Sequence, residues 1–199
     1  MQVETKYARS GDITLDAPPT NLPPPTTTLV GRAQEIDALR QLLHEPYARW
    51  ITLTGPGGTG KTRLALATAE QVRAEYEHGV FFVALDALDD PALVLPTLAQ
   101  TLGVQESSTQ SLLHALRYAL ADKQMLLLLD NLEQVVEAAN DLAELLSGTP
   151  RVQVLATSRE LVRVYGEHNF PVTPLAVPDV SRELSLESLQ QNEAVQLLF

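Results

Sequence analysis

The chain of 199 residues contains no cysteine. Disulfides, thiolate-ligated zinc and cysteine nucleophiles are therefore excluded, and the absence fits a cytoplasmic protein. Basic residues are few: 14 Lys and Arg stand against 25 Asp and Glu, for a formal net charge of −11. That balance argues against a broad basic surface for gripping nucleic acid, so no direct nucleic-acid partner is expected of this segment. No apolar run approaches the length of a membrane span, and the polar, acidic N-terminus has no signal-peptide pattern, so no membrane partner is expected either. Internal repeats are absent. His44, His78, His114 and His168 are dispersed, without metal-ligand spacing, and receive no role. Aromatic residues make up only 5%, with a lone Trp50 expected at the base of the first strand.

What is present is a hydrophobic content of 45%, enough for the core of one sizeable α/β domain. Residues 55–62 read Gly-Pro-Gly-Gly-Thr-Gly-Lys-Thr, a complete phosphate-binding loop. Gly55, Gly57, Gly58 and Gly60 let the backbone turn where a side chain would clash. Successive N–H groups from Pro56 to Arg63, proline itself excepted, can then face phosphate oxygens, with Thr59 completing the loop. A helix opening at this point adds its positive end. Lys61 can reach the β- and γ-phosphates, and the hydroxyl of Thr62 can ligate Mg²⁺. Context supports the motif: residues 50–54 are β-branched and apolar like a strand, and Leu64, Leu66, Ala67, Ala69 and Val72 are spaced for one face of a helix.

Residues 1–28 carry Pro18, Pro19, Pro23, Pro24 and Pro25 and are expected to form an extended, flexible lead-in, with some order near 6–15. The nucleotide-binding domain is expected to run from 29 to 199. Apolar patterning predicts a first helix around Ile36–Leu43 and strands at 50–54, 79–85, 125–130, 152–157 and 169–172. It predicts further helices at 91–102 (stopped by Gly103), 111–122, 132–146 and 158–164, and a last one at 187–199. Continuous apolar strands separated by helices predict a parallel five-stranded sheet covered on both faces, with the site at the strands' carboxyl ends. The last predicted helix ends on Leu197-Leu198-Phe199 with no polar stop, so a piece of a longer protein is expected.

Four leucines followed by Asp130 form a Walker B pattern. A buried strand can hold this carboxylate at its tip as a second Mg²⁺ anchor beside Thr62. The position after it, where an acid could polarise the attacking water, is Asn131. Glu133 is the nearest acid: either it reaches that water, or it favours the positive end of its helix. Thr157-Ser158-Arg159 ends the next strand. Arg159 either faces the γ-phosphate, as a sensor or as a transition-state charge, or lies on the surface. Gly31-Arg32, with Glu35, either packs on adenine and steadies the loop or ribose, or forms a plain turn with an exposed charge. Asp86, Asp89 and Asp90 read as a solvated loop.

The ordered set formed by residues 29–35, 55–62, 126–131, 157–159, 165–167 and 174–175 resembles the STAND class of P-loop ATPases, related to NB-ARC domains. It is most similar to the bacterial branch in large LuxR-type and SARP-type transcriptional regulators. The resemblance implies an ASCE-type three-layer fold with a strand inserted between the P-loop and Walker B strands. It also implies a switch: ADP holds a closed state, exchange for ATP opens it, and opening often drives self-association. In that manner Gly31 and Arg32 would lie near adenine, Lys61 and Thr62 on phosphate and Mg²⁺, Asp130 on Mg²⁺, and Arg159 would be the sensor. The family's helical lid and winged-helix domain are expected to lie beyond residue 199. Ala33 and Gln34 depart from its first motif, which usually carries two acids.

The functional expectation is an ATP/ADP-binding regulatory module with slow Mg²⁺-dependent hydrolysis, its catalytic set being Lys61, Asp130, Glu133 and Arg159. The alternative is an interaction module that holds nucleotide without turnover. A P-loop kinase would need an acceptor-binding lid with convergent arginines, and nothing here looks like one.

Overall fold

The computed structural model describes residues 17–24, 29, 31–105 and 110–175. The helix expected at 187–199 and the order expected near 6–15 lie outside the described residues. Five strands are seen: β1 (Trp50–Thr54), β2 (Val80–Ala84), β3 (Met125–Asp130), β4 (Val152–Ser158) and β5 (Glu167–Pro171). They form one parallel sheet in the order β2-β3-β4-β1-β5. The β4 strand thus lies between the strand that feeds the phosphate loop and the strand that ends on Asp130, as the family resemblance implies.

Helices α1 (Ala33–His44) and α2 (Lys61–Val72) cover one face; α3 (Val94–Leu102), α4 (Leu112–Leu120) and α5 (Ala139–Ser147) cover the other. Strand geometry explains why a run of leucines is needed. Successive side chains point to opposite faces, so Leu126 and Leu128 pack with Leu39, Leu64 and Ile51. Leu127 and Leu129 pack with Leu98, Leu116, Leu142 and Val154. All four leucines are fully buried, and each contributes roughly 1.5–3 kcal/mol through removal from water. Trp50 opens β1 almost fully buried, and its indole N–H donates to Thr52 Oγ1 at 3.0 Å.

Part of the proline-rich lead-in is docked on the sheet. The Val80 N–H donates to the Pro19 carbonyl at 3.1 Å and Thr20 Oγ1 donates to the Val80 carbonyl at 2.7 Å. The Asn21 amide exchanges two hydrogen bonds with the Phe82 backbone, at 2.6 and 2.8 Å. These contacts occupy the groups that an edge strand otherwise presents to solvent.

Three predicted helices are corrected. The 91–102 segment starts as a 3-10 turn, Pro91–Leu93, capped by the Asp90 carboxylate, and only then becomes α3. The 132–146 segment is two 3-10 turns, Leu132–Gln134 and Val136–Ala138, before α5. The break lies at Val135 (φ −137, ψ 41), which is fully buried; a β-branched pair, Val135-Val136, is stiff and the core claims one member. The 158–164 segment is not helical. The carboxylate of Glu167 accepts the N–H groups of Val162 at 3.0 Å and Arg163 at 2.7 Å, and these bonds hold the loop open.

Candidate functional site

The loop of residues 55–60 leaves the carboxyl end of β1 and enters α2 at Lys61. Three of its four glycines are required where they stand, whereas a Cβ on Gly57 would meet nothing within 4 Å. Gly55, Gly58 and Gly60 have φ of 154°, 81° and 87°, values that favour residues without Cβ. A Cβ on Gly55 would lie 2.5 Å from the Val172 carbonyl oxygen, a clash with backbone. Thr59 Oγ1 closes the turn by donating to the Pro56 carbonyl at 3.0 Å. Lys61 is buried, and its Nζ donates to the carbonyls of Gly55 at 2.7 Å and Pro56 at 3.0 Å. Arg63 is half-buried in the first turn of α2.

Asp130 sits buried at the end of β3 and accepts two hydroxyls on the same oxygen, Oδ1: Thr62 at 2.7 Å and Thr157 at 2.6 Å. Such short O–H···O⁻ bonds are the strong, charge-assisted kind. Thr157, fully buried on β4, also accepts the Asn131 N–H at 3.0 Å. It thereby fixes the left-handed turn (Asn131 φ 61°) that ends β3. The role of Thr157 as an orienter of Asp130 was not legible in the sequence. Its place at a strand end near the Walker B strand was the signal, but only the β3–β4 pairing puts them side by side.

Thr62 and Asp130 place a hydroxyl and a carboxylate, both hard oxygen donors, 2.7 Å apart beside a phosphate loop. This donor set suits Mg²⁺, which takes one or two protein oxygens and leaves the remaining positions to water and phosphate.

Glu133 and Arg159, both candidates for the hydrolytic step, are brought together by the fold. Arg159 Nε lies 3.2 Å from Glu133 Oε1. The arginine side chain is 68% exposed and the glutamate 15%, while Glu133 Oε2 is buried without a hydrogen-bond partner. Gly31 and Arg32 both adopt the left-handed conformation just before α1. Arg32 is a buried cation, 6% exposed, not a surface charge. Its Nη1 donates to Glu35 Oε1 at 2.7 Å, and its Nη2 donates to the carbonyls of Thr59 at 3.2 Å and Thr173 at 2.6 Å.

This geometry defines a P-loop ATPase domain, and the relatives agree. An AAA domain family matches residues 44–171, and the chain belongs to it. A Mycobacterium tuberculosis protein named as an HTH-type transcriptional regulator is 36% identical over 137 residues, covering 68% of this chain and 15% of that protein. Regulatory protein AfsR of Streptomyces coelicolor is 28% identical over 182 residues, covering 83% of this chain and 18% of AfsR. The chain therefore spans less than a fifth of either relative. Among solved structures, Cdc6p from Pyrobaculum aerophilum superposes with a TM-score of 0.51 at 18% identity, covering 70% of this chain and 41% of that one. That likeness concerns the fold alone. The three-layer α/β fold and the P-loop ATPase resemblance read from the sequence both stand. Among the described residues no helix is long and apolar enough to cross a membrane.

Proposed function

We propose that this domain is the ATP/ADP-binding switch of a larger signal-transduction or transcription-regulating ATPase of the STAND type, with slow Mg²⁺-dependent hydrolysis. The observation that carries the reading is the convergence of the Thr62 and Thr157 hydroxyls on one carboxylate oxygen of Asp130 beside the phosphate loop. The loop amides and Lys61 bind the phosphates. Thr62 and Asp130 hold Mg²⁺, which when bound neutralises phosphate charge. Thr157 fixes the direction of the carboxylate.

With Asn131 in the place of an acid, Glu133 is the remaining base, and its Oε1 is tied to Arg159. Turnover then requires that pair to part, with Arg159 moving to the γ-phosphate as sensor. The same ion pair favours a second reading, in which nucleotide is bound without turnover and serves assembly. The relatives named as an HTH-type transcriptional regulator and as regulatory protein AfsR support a regulatory role for the whole protein; self-association or further domains would carry the output in this reading.

The test is the nucleotide content of the purified protein beside a Lys61→Ala variant, followed by the time course of ADP release from Mg-ATP. Bound ADP or ATP that disappears in the variant is the expected result. Neither bound nucleotide nor measurable affinity would overturn the binding role. Turnover of many per second would overturn slow hydrolysis, and complete absence of turnover would favour the second reading.

A further inference from the structure

Arg32 joins two segments far apart in the sequence. A terminal guanidinium nitrogen carries two N–H donors, and Arg32 Nη2 gives one to Thr59 in the phosphate loop and one to Thr173 just past β5. Glu35, in the first turn of α1, holds the guanidinium from the other side through Nη1. The same two segments touch again at the base of the loop. The Val172 N–H donates to the Thr54 carbonyl at 2.7 Å, and the Val172 carbonyl lies against Gly55 where only a hydrogen fits.

The carbonyl of Thr59 belongs to the same planar peptide as the N–H of Gly60. In a phosphate loop that N–H is one of the donors to phosphate oxygen. The peptide is rigid, so turning the Gly60 N–H toward a phosphate turns the Thr59 carbonyl with it. That movement tightens or releases its bond to Arg32. This peptide turns through ψ of Thr59 and φ of Gly60, and Gly60, at φ 87°, gives it the freedom of a glycine on that side.

We infer that Arg32 is a positioning residue that couples the phosphate-facing peptide of the loop to the chain leaving β5 at Val172–Thr173, so that nucleotide occupancy sets how firmly this segment is held. The inference rests on the nucleotide-binding reading above. It gives the switch a mechanical exit, because the fastened segment is the first stretch of chain after the last strand described.

The experiment is amide exchange resolved at Val172 by NMR on the 199-residue chain, with and without saturating Mg-ADP, beside calorimetric measurement of ADP affinity. In the wild type, ADP slows exchange at Val172 by about tenfold, a usual size for coupled sites. In Arg32→Gln, ADP still protects the amides of Gly58–Thr62 at saturation, but the response at Val172 is lost. Arg32→Lys keeps the charge beside Glu35 but lacks the planar fork; it serves as the second variant if the first does not fold, and is expected to lose the response too. A merely structural role would speed Val172 exchange equally with and without ADP and leave the ratio intact. An intact ratio in either variant overturns the coupling, as does a wild type that binds ADP with no change at Val172. A wild type that binds no ADP overturns the nucleotide reading and this inference together, and calorimetry identifies that case.

Discussion

The two halves of the candidate site are built to different standards. The Asp130 half is buried, and two threonine hydroxyls from different elements converge on its Oδ1. The Glu133 half pairs a largely exposed arginine with an acid whose second oxygen is buried and unpartnered. A group held by several short bonds needs no rearrangement before it acts, whereas an ion pair at the surface is weak and easily exchanged. The contrast fits a module that holds nucleotide firmly and hydrolyses it reluctantly, with movement reserved for the Glu133–Arg159 pair.

Four substitutions sharpen or break that comparison. The largest effect is expected at Lys61, whose ammonium is the cation within the loop. Lys61→Ala should weaken Mg-ATP and Mg-ADP binding roughly 100-fold, about 2.7 kcal/mol, by calorimetry. Asp130→Asn comes next. An amide oxygen can still accept from Thr62 and Thr157, so the thermal midpoint should hold while the Mg²⁺-dependent part of nucleotide affinity falls about tenfold. If affinity measured with Mg²⁺ and with EDTA drops equally, Asp130 is a structural residue and the comparison fails. Thr157→Val removes one of the two donors and leaves the Asn131 N–H without its acceptor. A loss of about 1–3 kcal/mol in stability is expected by urea unfolding, because that N–H is part-buried.

The smallest binding effect should come from Glu133→Gln, with ADP affinity changed by less than about threefold, since the exposed partner contributes little. The informative reading there is single-turnover ADP formation. A fall shows Glu133 to be the base, and unchanged turnover removes it from the chemistry.

Much of the fold was legible in the sequence because its strands are short apolar runs between helices of clear periodicity. Residues 50–54 and 125–130 became strands as expected, and Gly103 (φ 69°) ended α3 as expected. Legibility failed where tertiary contacts overrode local pattern. The buried Val135 broke the predicted 132–146 helix, and the Glu167 carboxylate took the amides of a segment that patterned as a helix. The prolines of the lead-in ruled out regular ladders, but nothing in them announced that Pro19–Asn21 would dock on β2.

The sequence by itself determined the phosphate loop, the carboxylate of Asp130 at its strand tip and the parallel α/β sheet. Each rests on local rules: glycine where φ is positive, an apolar run where a strand is buried on both faces, a carboxylate at a strand tip. Tertiary structure alone decided which groups meet. Strand order set β4 beside β3 and gave Asp130 its threonine from β4. The crossover from β4 to β5 brought Thr173 back to the loop, so that Arg32, which in sequence could equally have been a surface charge, became a buried link between the phosphate loop and the chain beyond the sheet. Spacing along a chain fixes local conformation, but contacts between distant segments depend on how the sheet is ordered, and that order is a property of the whole core.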